Sequence, residues 1–352
     1  MARNKFMRNN KIKIAINGFG RIGRLFFRQA MEEPLLKIVA INDLGDLDNL
    51  AYLLKYDSVY RKFPGEISIK KSSDKNYLTI NGEEILILQE KDPTKLPWKD
   101  LDVDIIVEST GVFESFEKAK IHLDVGAKRV VLTAPAKDAD GTLGKTILVG
   151  INDGELKTVN LSSNASCTTN AASPVIAVLA ENPGIAKAIL NTVHAYTNTQ
   201  TMVDSPVKGA DFRRGRAGAI NIVPSTTGAA IAVTRAIKEL QGKFDGVAIR
   251  VPVVTGSIAD ITFVSKRKTS VEEINNILKE AAASLRWQGI LKTVDEDIVS
   301  SDIIGEPYGA IVDLKFTKVI DGDLVKVFSW YDNEWGYCAT LVKHVLKVAE
   351  NL

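Results

Sequence analysis

The stretch AINGFGRIGR, residues 15–24, joins a run of alternating residues, Ile12-Lys13-Ile14-Ala15-Ile16, to a run with helical spacing, Ile22, Leu25, Phe26 and Ala30. A period of two reads as a strand, and apolar residues three and four apart read as one face of a helix. Pro34 stops the helix, and Leu35 to Ile41 reads as a second buried strand ending at Asn42-Asp43. Strand, glycine turn, helix and strand make a complete β-α-β unit. Its three glycines have separate tasks: Gly18 for a tight turn, Gly20 for close approach of backbone to a pyrophosphate, and Gly23 for contact between helix and sheet. The helix N-terminus aims N–H groups and partial positive charge at the phosphates. Asp43 follows Gly23 by twenty positions, where a carboxylate can accept both ribose hydroxyls. It also repels the extra phosphate of NADP, and Leu44 beside it offers no compensating donor, so NAD is the expected cofactor.

Outward from this unit, strands are expected at Val103 to Val107, Arg129 to Thr133 and Thr146 to Val149, with a helix near Glu114 to Asp124. The first half is therefore an α/β, doubly wound parallel sheet of the Rossmann type. After Val159 the texture changes to longer alternating strands and large polar loops, which predicts an α+β catalytic domain with a mostly antiparallel sheet. Helices are expected after Cys167, over Thr226 to Glu239, and from Ser270, where Ser270-Val271-Glu272-Glu273 has capping-box spacing. Strands are expected near Ile189 to His194, Gly246 to Val254, Ile258 to Ser265 and Leu324 to Trp330. The last helix, Trp335 to Ala349, is expected to pack back on the first domain. The division is then 11–165 for an NAD-binding domain, 166–332 for a catalytic domain, and 333–352 for the closing helix.

A chain of 352 residues exceeds what one core accommodates, in line with two domains. Lys plus Arg exceeds Asp plus Glu by only two, too little to suggest nucleic acid or an anionic membrane as partner, so any bound anion must be held by local groups. Two cysteines, Cys167 and Cys338, cannot staple such a chain, and a reducing, cytoplasmic setting is expected. The uncharged stretch from Ala217 to Thr234 is interrupted by Asn221, Pro224 and Ser225 and is no membrane span. The basic opening from Met1 to Lys13 lacks the apolar block of a secretory signal; Met7 is a candidate alternative start, and the residues before Lys11 read as a frayed tail. No metal site is expected.

SNASCTTN, residues 163–170, leaves a strand and enters a helix, which puts Cys167 in the first turn. Free N–H groups and the helix dipole there favour thiolate over thiol. His194, twenty-seven residues on, ends an apolar strand and opens a long polar loop, from which an imidazole can face the sulfur. An inert thiol and a backbone-bonded histidine are the alternative, although the Ser/Thr/Asn frame of Cys167 fits an apolar core poorly. Cys338, by contrast, sits among Tyr337, Leu341 and Val342 and reads as a buried structural thiol. His344 reads as surface or packing, and His122 has no evident partner.

Arg213-Arg214-Gly215-Arg216 lies in the loop after His194, and Arg250 ends a strand-like run. Arginine suits phosphate because its planar fork donates two hydrogen bonds at once. Ser166, Thr168, Thr197 and Thr227-Gly228 add hydroxyl and amide donors. A solvated face or an interface contact is the other reading of the arginine cluster, and one loop can serve both purposes.

At these residues the sequence resembles the phosphorylating glyceraldehyde-3-phosphate dehydrogenases, from about Lys11 to the C-terminus. The segments that carry the resemblance are AINGFGRIGR, AIND at Asp43, LKYDS near Tyr56, SNASCTTN, TVHAYTNTQ at His194, RRGRAGAINIVPSTTGAA, RVPV at Arg250, and SWYDNEWGY. The resemblance implies that Cys167 attacks the substrate aldehyde, with His194 taking the hydroxyl proton, and that inorganic phosphate cleaves the resulting thioester. It implies that Arg214, Thr197 and Arg250 hold the substrate phosphate of glyceraldehyde 3-phosphate, and that Ser166, Thr168, Thr227 and Gly228 form the pocket for the attacking phosphate. Arg21, Ile22, Asp43, Lys91, Thr110 and Thr133 match cofactor-contacting positions, and Asn333 would orient the nicotinamide carboxamide. Pro206 stands where NAD-selective members often carry proline. A homotetramer is implied, with the loop from Tyr196 to Ala217 between subunits.

Some positions depart from the pattern. Thr201 stands where many relatives have a basic residue, and the loop from Asp204 to Arg213 is one residue longer than usual. Ala171 replaces a second cysteine, which removes an internal disulfide rescue of the oxidised thiol. The nearest alternative is erythrose-4-phosphate dehydrogenase, which shares the fold and the Cys/His pair but releases a free acid; the phosphate-pocket residues favour phosphorolysis. A cysteine hydrolase could use Cys167 and His194 but has no need of the unit from Gly18 to Asp43. A binding protein without turnover would tolerate loss of a chemical position, and none is missing.

Overall fold

The computed structural model describes residues 11–207 and 209–352, so the frayed tail and the alternative start at Met7 lie outside the described residues. The chain divides into two compact units: one of residues up to 149, 153–165 and 341–352, and a second of residues 150–152 and 166–340.

In the first unit, β1 (Ile12–Asn17), α1 (Arg21–Ala30) and β2 (Leu36–Asn42) form the expected β-α-β. The chain continues through α2 (Leu47–Lys55), β3 (Ile67–Lys71), β4 (Asn76–Ile80), β5 (Glu83–Leu88), β6 (Ile105–Glu108), α3 (Phe116–Ala119), α4 (Ile121–Asp124), β7 (Arg129–Leu132), β8 (Gly144–Thr146) and β9 (Leu161–Ser163). The nine strands run in the order β3-β4-β5-β2-β1-β6-β7-β9-β8. All pairings from β5 to β8 are parallel, and β3-β4-β5 is an antiparallel meander added at one edge. Residues such as Ile14, Ile16, Ile105, Ile106 and Val107 are fully enclosed, as strands covered on both faces require.

Several expected elements differ in detail. The strand placed at Thr146 to Val149 ends at Thr146, and the one placed at Val103 begins at Ile105. The helix expected over Glu114 to Asp124 is two short turns: Ser115 caps the first by accepting from the Lys118 amide, and the second starts after Lys120.

The second unit contains α5 (Cys167–Glu181), β10 (Ile185–Ala195), β11 (Val223–Thr226), α6 (Ala229–Ala236), β12 (Phe244–Val251), β13 (Ser257–Ser265), α7 (Val271–Ala283), β14 (Leu291–Val294), β15 (Ala310–Ile320) and β16 (Leu324–Tyr331). Its sheet runs β11-β12-β10-β13-β16-β15-β14; the pairs β10-β12 and β14-β15 are parallel and the rest antiparallel. Helix α5 packs on β13, β15 and β16, α6 on β12, and α7 on β14 and β15. The burial alternation of β13 and β16 shows one covered face. Thr226, expected in a helix, belongs to β11, because the turn at Thr227-Gly228 delays the helix to Ala229. Ser270 caps α7 as expected by accepting from the Glu273 amide. The closing helix α8 spans Trp335–Ala349; its residues up to 340 group with the second unit and those from 341 with the first.

Of the two readings of His344, surface or packing, the second holds: within the first unit it is buried. The Asn164 carbonyl oxygen faces its Nδ1 at 3.2 Å, which makes that nitrogen the donor, and the Ser162 hydroxyl donates to Nε2 at 2.8 Å. Burial pulls its pKa down to about 3. Cys338 is fully enclosed, as expected of a packing thiol.

Candidate active site

A cavity of about 450 Å³ opens in the first unit at the C-terminal ends of β1, β2 and β6, the position where parallel α/β sheets take ligands. Gly18, Gly20, Asp43, Lys91 and Thr110 line it, together with Asn17 and Asn42. Gly18 has φ of +95°, and a Cβ there would stand 2.6 Å from backbone of Ser109 and Thr110. At Gly23 a Cβ would lie 2.1 Å from the Gly18 carbonyl oxygen, so only glycine lets α1 meet the turn. At Gly20 a Cβ would meet nothing within 4 Å. The backbone there is open to a ligand, and the first turn of α1 carries no acidic side chain to repel an anion.

Asp43 is fixed from both sides: its Oδ2 accepts from the Phe19 amide at 2.6 Å and its Oδ1 from the Gly45 amide at 2.8 Å. The Arg21 guanidinium pairs with the enclosed Asp57, so Arg21, like Ile22, offers the site its place in the first turn of α1 rather than its side chain. Ion pairing and two amides, from Tyr60 and Val59, hold the Asp57 carboxyl below its ordinary range although burial pushes it up. Thr133 is not among the cavity residues; its hydroxyl donates to the Glu108 carbonyl at 3.0 Å. These glycines, the carboxylate and the open backbone cradle fit a dinucleotide.

In the second unit Ser166 caps α5, its Oγ accepting from the Thr169 amide at 3.1 Å, which fixes Cys167 as the first helical residue. Cys167 is partly exposed, and its Sγ lies 3.4 Å from Nε2 of His194 on β10. The other ring nitrogen, Nδ1, lies 2.6 Å from the Ala195 carbonyl and 2.6 Å from Nη1 of Arg250, which itself donates to that carbonyl at 3.0 Å. Arg250 is brought there by register, as His194 and Arg250 are direct partners on β10 and β12. Tyr331 meets the imidazole edge-on at 5.9 Å, and its hydroxyl bonds Thr168 at 2.8 Å and Thr192 at 2.7 Å.

Opposing influences act on the pair. Burial pushes the Cys167 thiol up, and Arg250 with the hydroxyl and amide of Thr168 only partly oppose this. Burial, then the Arg250 charge, pull His194 down to about 3, against the Ala195 carbonyl. Burial thus opposes charge on either group, while Arg250 and the Thr168 hydroxyl and amide favour the anion at sulfur, and Nε2 of the imidazole faces the sulfur at 3.4 Å.

Two of the loop arginines share one partner: Arg213 and Arg214 both pair with Asp211, at 2.8 and 3.6 Å, while Arg216 pairs with Asp204 on exposed surface. Beyond that pair, Arg214 Nη2 donates to Ser225 at 3.1 Å and Nη1 to Thr199 at 3.3 Å, and its charge is felt at Arg250. Thr197 bonds Thr199 through its hydroxyl at 2.9 Å. Thr227 accepts from the Ala229 amide at 3.2 Å, and Gly228 is the N-cap of α6, so this pair forms a helix N-terminus. Asn333, in the second unit, has its carbonyl oxygen held by Ser257 Oγ at 2.8 Å and the Gly256 amide at 3.1 Å.

Sequence reasoning missed Tyr331, Asn17, Asn42 and Glu108. Tyr331 could have been found by the inward period of two along β16, and both asparagines by their place as last residues of parallel strands. Among the described residues no group of three or more His, Cys, Asp or Glu is placed to hold a metal ion, and no helix is long and apolar enough to cross a membrane.

A dinucleotide-binding unit followed by a unit that presents a thiol to an imidazole is the arrangement of an NAD-dependent oxidoreductase. Family models agree: "Glyceraldehyde 3-phosphate dehydrogenase, NAD binding domain" matches residues 12–116, and "Glyceraldehyde 3-phosphate dehydrogenase, C-terminal domain" matches residues 166–333. The chain is 52% identical to glyceraldehyde-3-phosphate dehydrogenase of Thermotoga maritima over 94% of this chain and 97% of that one. It is 47% identical to that of Clostridium pasteurianum over 94% and 96%, and 45% identical to that of Mycobacterium avium over 97% and 99%. The chain belongs to the glyceraldehyde-3-phosphate dehydrogenase family, with an NAD-binding first unit of Rossmann type and a second, largely antiparallel unit.

Proposed function

We propose that the protein converts glyceraldehyde 3-phosphate and inorganic phosphate to 1,3-bisphosphoglycerate with reduction of NAD, through a thioester on Cys167. The observation that carries this is the 3.4 Å approach of the sulfur to His194 Nε2 at the head of α5, in a chain whose other unit binds NAD. His194 accepts the thiol proton as sulfur bonds to the aldehyde carbon and returns it to the resulting alkoxide, giving a hemithioacetal; the ring, neutral again, then takes the hydroxyl proton as hydride departs and the thioester forms. NAD supplies the hydride acceptor when bound. Phosphate oxygen then attacks the thioester carbon, the C–S bond breaks, and the thiol is restored.

Arg250 tunes the base. Its charge suppresses protonation of the imidazole in the free chain, and a substrate phosphate beside Arg250 offsets that charge and raises the basicity of His194 when it is needed. Arg214 and Thr197 join Arg250 in holding the substrate phosphate, and Ser166, Thr168, Thr227 and Gly228 receive the attacking phosphate. In this assignment residues 11–165 serve as the NAD-binding domain, 166–332 as the catalytic domain and 333–352 as the closing helix.

A homotetramer accounts for the other face of the second sheet, where Ile189, Val247, Phe316 and Ile320 are exposed. It also accounts for the loop after Tyr196, which exposes Met202, Val203 and Phe212 and contains buried Gln200 and Thr201 side-chain atoms without hydrogen-bond partners among the described residues. A reducing cytoplasm suits a working thiol. Intact mass spectrometry tests the chemistry: aldehyde and NAD without phosphate should leave an acyl adduct that maps to Cys167 and disappears on adding phosphate. Absence of any adduct, with turnover intact, would exclude a thioester.

A further inference from the structure

Beneath the cavity of the first unit runs a buried polar chain whose hydrogen-bond directions are dictated from one end. An indole N–H can only donate, so Trp98 Nε1, at 3.1 Å, makes His122 Nδ1 the acceptor and leaves the ring hydrogen on Nε2. That hydrogen is donated to Glu108 Oε2 at 3.1 Å. Asn17 Nδ2 donates to the same oxygen at 2.6 Å, while the Thr110 amide, at 2.8 Å, and the Thr110 hydroxyl donate to Oε1. Four donors on two oxygens complete the capacity of a carboxylate.

The order then propagates outward. Asn17 has turned its amide nitrogen to Glu108, so its oxygen accepts from Asn42 Nδ2 at 2.8 Å; Asn42 in turn accepts from the Glu90 amide at 2.9 Å and donates to the Glu90 carbonyl at 3.0 Å. Trp98, His122, Glu108, Asn17 and Asn42 are all buried, whereas Asn17, Asn42, Glu90 and Thr110 all line the cavity. A buried network this complete is rigid, and one broken member leaves its neighbours unsatisfied.

We propose that the Glu108–His122 pair is a positioning unit that sets affinity for NAD by fixing Thr110 and the two asparagines, without touching the chemistry at sulfur. This rests on the assignment of the cavity to NAD. Glutamine at 108 presents an NH₂ where a carboxylate oxygen accepted, and donor then faces donor either at Thr110 or at His122 and Asn17. At 122, leucine removes both ring bonds, whereas glutamine can accept from the indole and donate to Glu108.

The test is calorimetric titration of NAD into the whole protein and into Glu108→Gln, His122→Leu and His122→Gln, with amide exchange at Thr110 and melting temperature measured on each. The NAD dissociation constant should rise about tenfold or more in Glu108→Gln and His122→Leu, with faster Thr110 exchange, and return to within about threefold in His122→Gln. KM for NAD should rise with little change in kcat. Should Glu108→Gln yield no folded protein, the two His122 variants decide. Unchanged NAD affinity in folded His122→Leu, or a loss equal in His122→Leu and His122→Gln, would overturn the proposal. Failure of the unaltered protein to bind NAD would instead overturn the assignment of the cavity.

Discussion

His194 Nδ1 lies 2.6 Å from the Arg250 guanidinium, on the side of the ring opposite Cys167. One strand pairing thus puts a fixed positive charge against the imidazole proposed to take a proton. Replacing the base, His194→Asn, should slow thioester formation by about 10² to 10⁴ while the thiol remains alkylatable, because general-base assistance is lost but the sulfur is retained. Rapid-mixing measurement of NADH formation checks this, and a loss below about threefold would remove His194 from the proton path.

Arg250→Gln should raise the pKa of His194, since the guanidinium is the second cause, after burial, of its depression to about 3. Histidine-labelled NMR across the acid range would follow the ring directly. An unchanged titration would mean that burial alone sets it.

The two glycines of the first turn should fail in opposite ways. Gly23→Ala forces a methyl to within 2.1 Å of the Gly18 carbonyl and should destabilise the fold by about 1–3 kcal/mol. Gly20→Ala adds a carbon that meets no protein atom within 4 Å, so it should fold normally yet bind NAD several-fold more weakly. Paired denaturation and NAD titration distinguish them.

Asp43→Ala should narrow the preference for NAD over NADP, because it removes a carboxylate held in place by the Phe19 and Gly45 amides. The ratio of kcat/KM for the two cofactors is the readout, and an unaltered ratio would assign selectivity elsewhere.

Acid stability follows from the buried histidines. With a pKa lowered to about 3 in the folded state, His344 binds its proton more readily when unfolded, so stability is complete above about pH 6.5 and is lost as pH falls from there toward 3. At pH 5 one such group costs about 2 kcal/mol. His344→Asn should flatten part of that slope between pH 7.5 and 5 in thermal melts; His194, lowered likewise, retains the rest.

How far the sequence reveals this molecule depends on the range of the interaction concerned. The β-α-β unit, Asp43 and the head of α5 were legible because periodicity, glycine spacing and a serine cap act within a few residues. The edge meander of β3, β4 and β5 carries weaker alternation and was not anticipated. His122 gave no hint of its place because its partners, Trp98 and Glu108, come from separate elements and meet only when β6 and α4 pack. The opposing influences on the Cys167 thiol divide the same way: a helix dipole is readable from local sequence, but desolvation by the surrounding unit is not. Beside Lys343 and Lys347 the choice between surface and packing for His344 is open, because its ring is settled by Ser162 and Asn164, some 180 positions earlier.

The most direct test of the chemistry is a rapid-mixing experiment with glyceraldehyde 3-phosphate and NAD, inorganic phosphate present or omitted. Without phosphate, NADH should appear in a single burst equal to the concentration of Cys167 and then stop; with phosphate, turnover should continue and yield an acyl phosphate. Steady formation of free acid at the same rate without phosphate would contradict a phosphate-cleaved thioester at this cysteine.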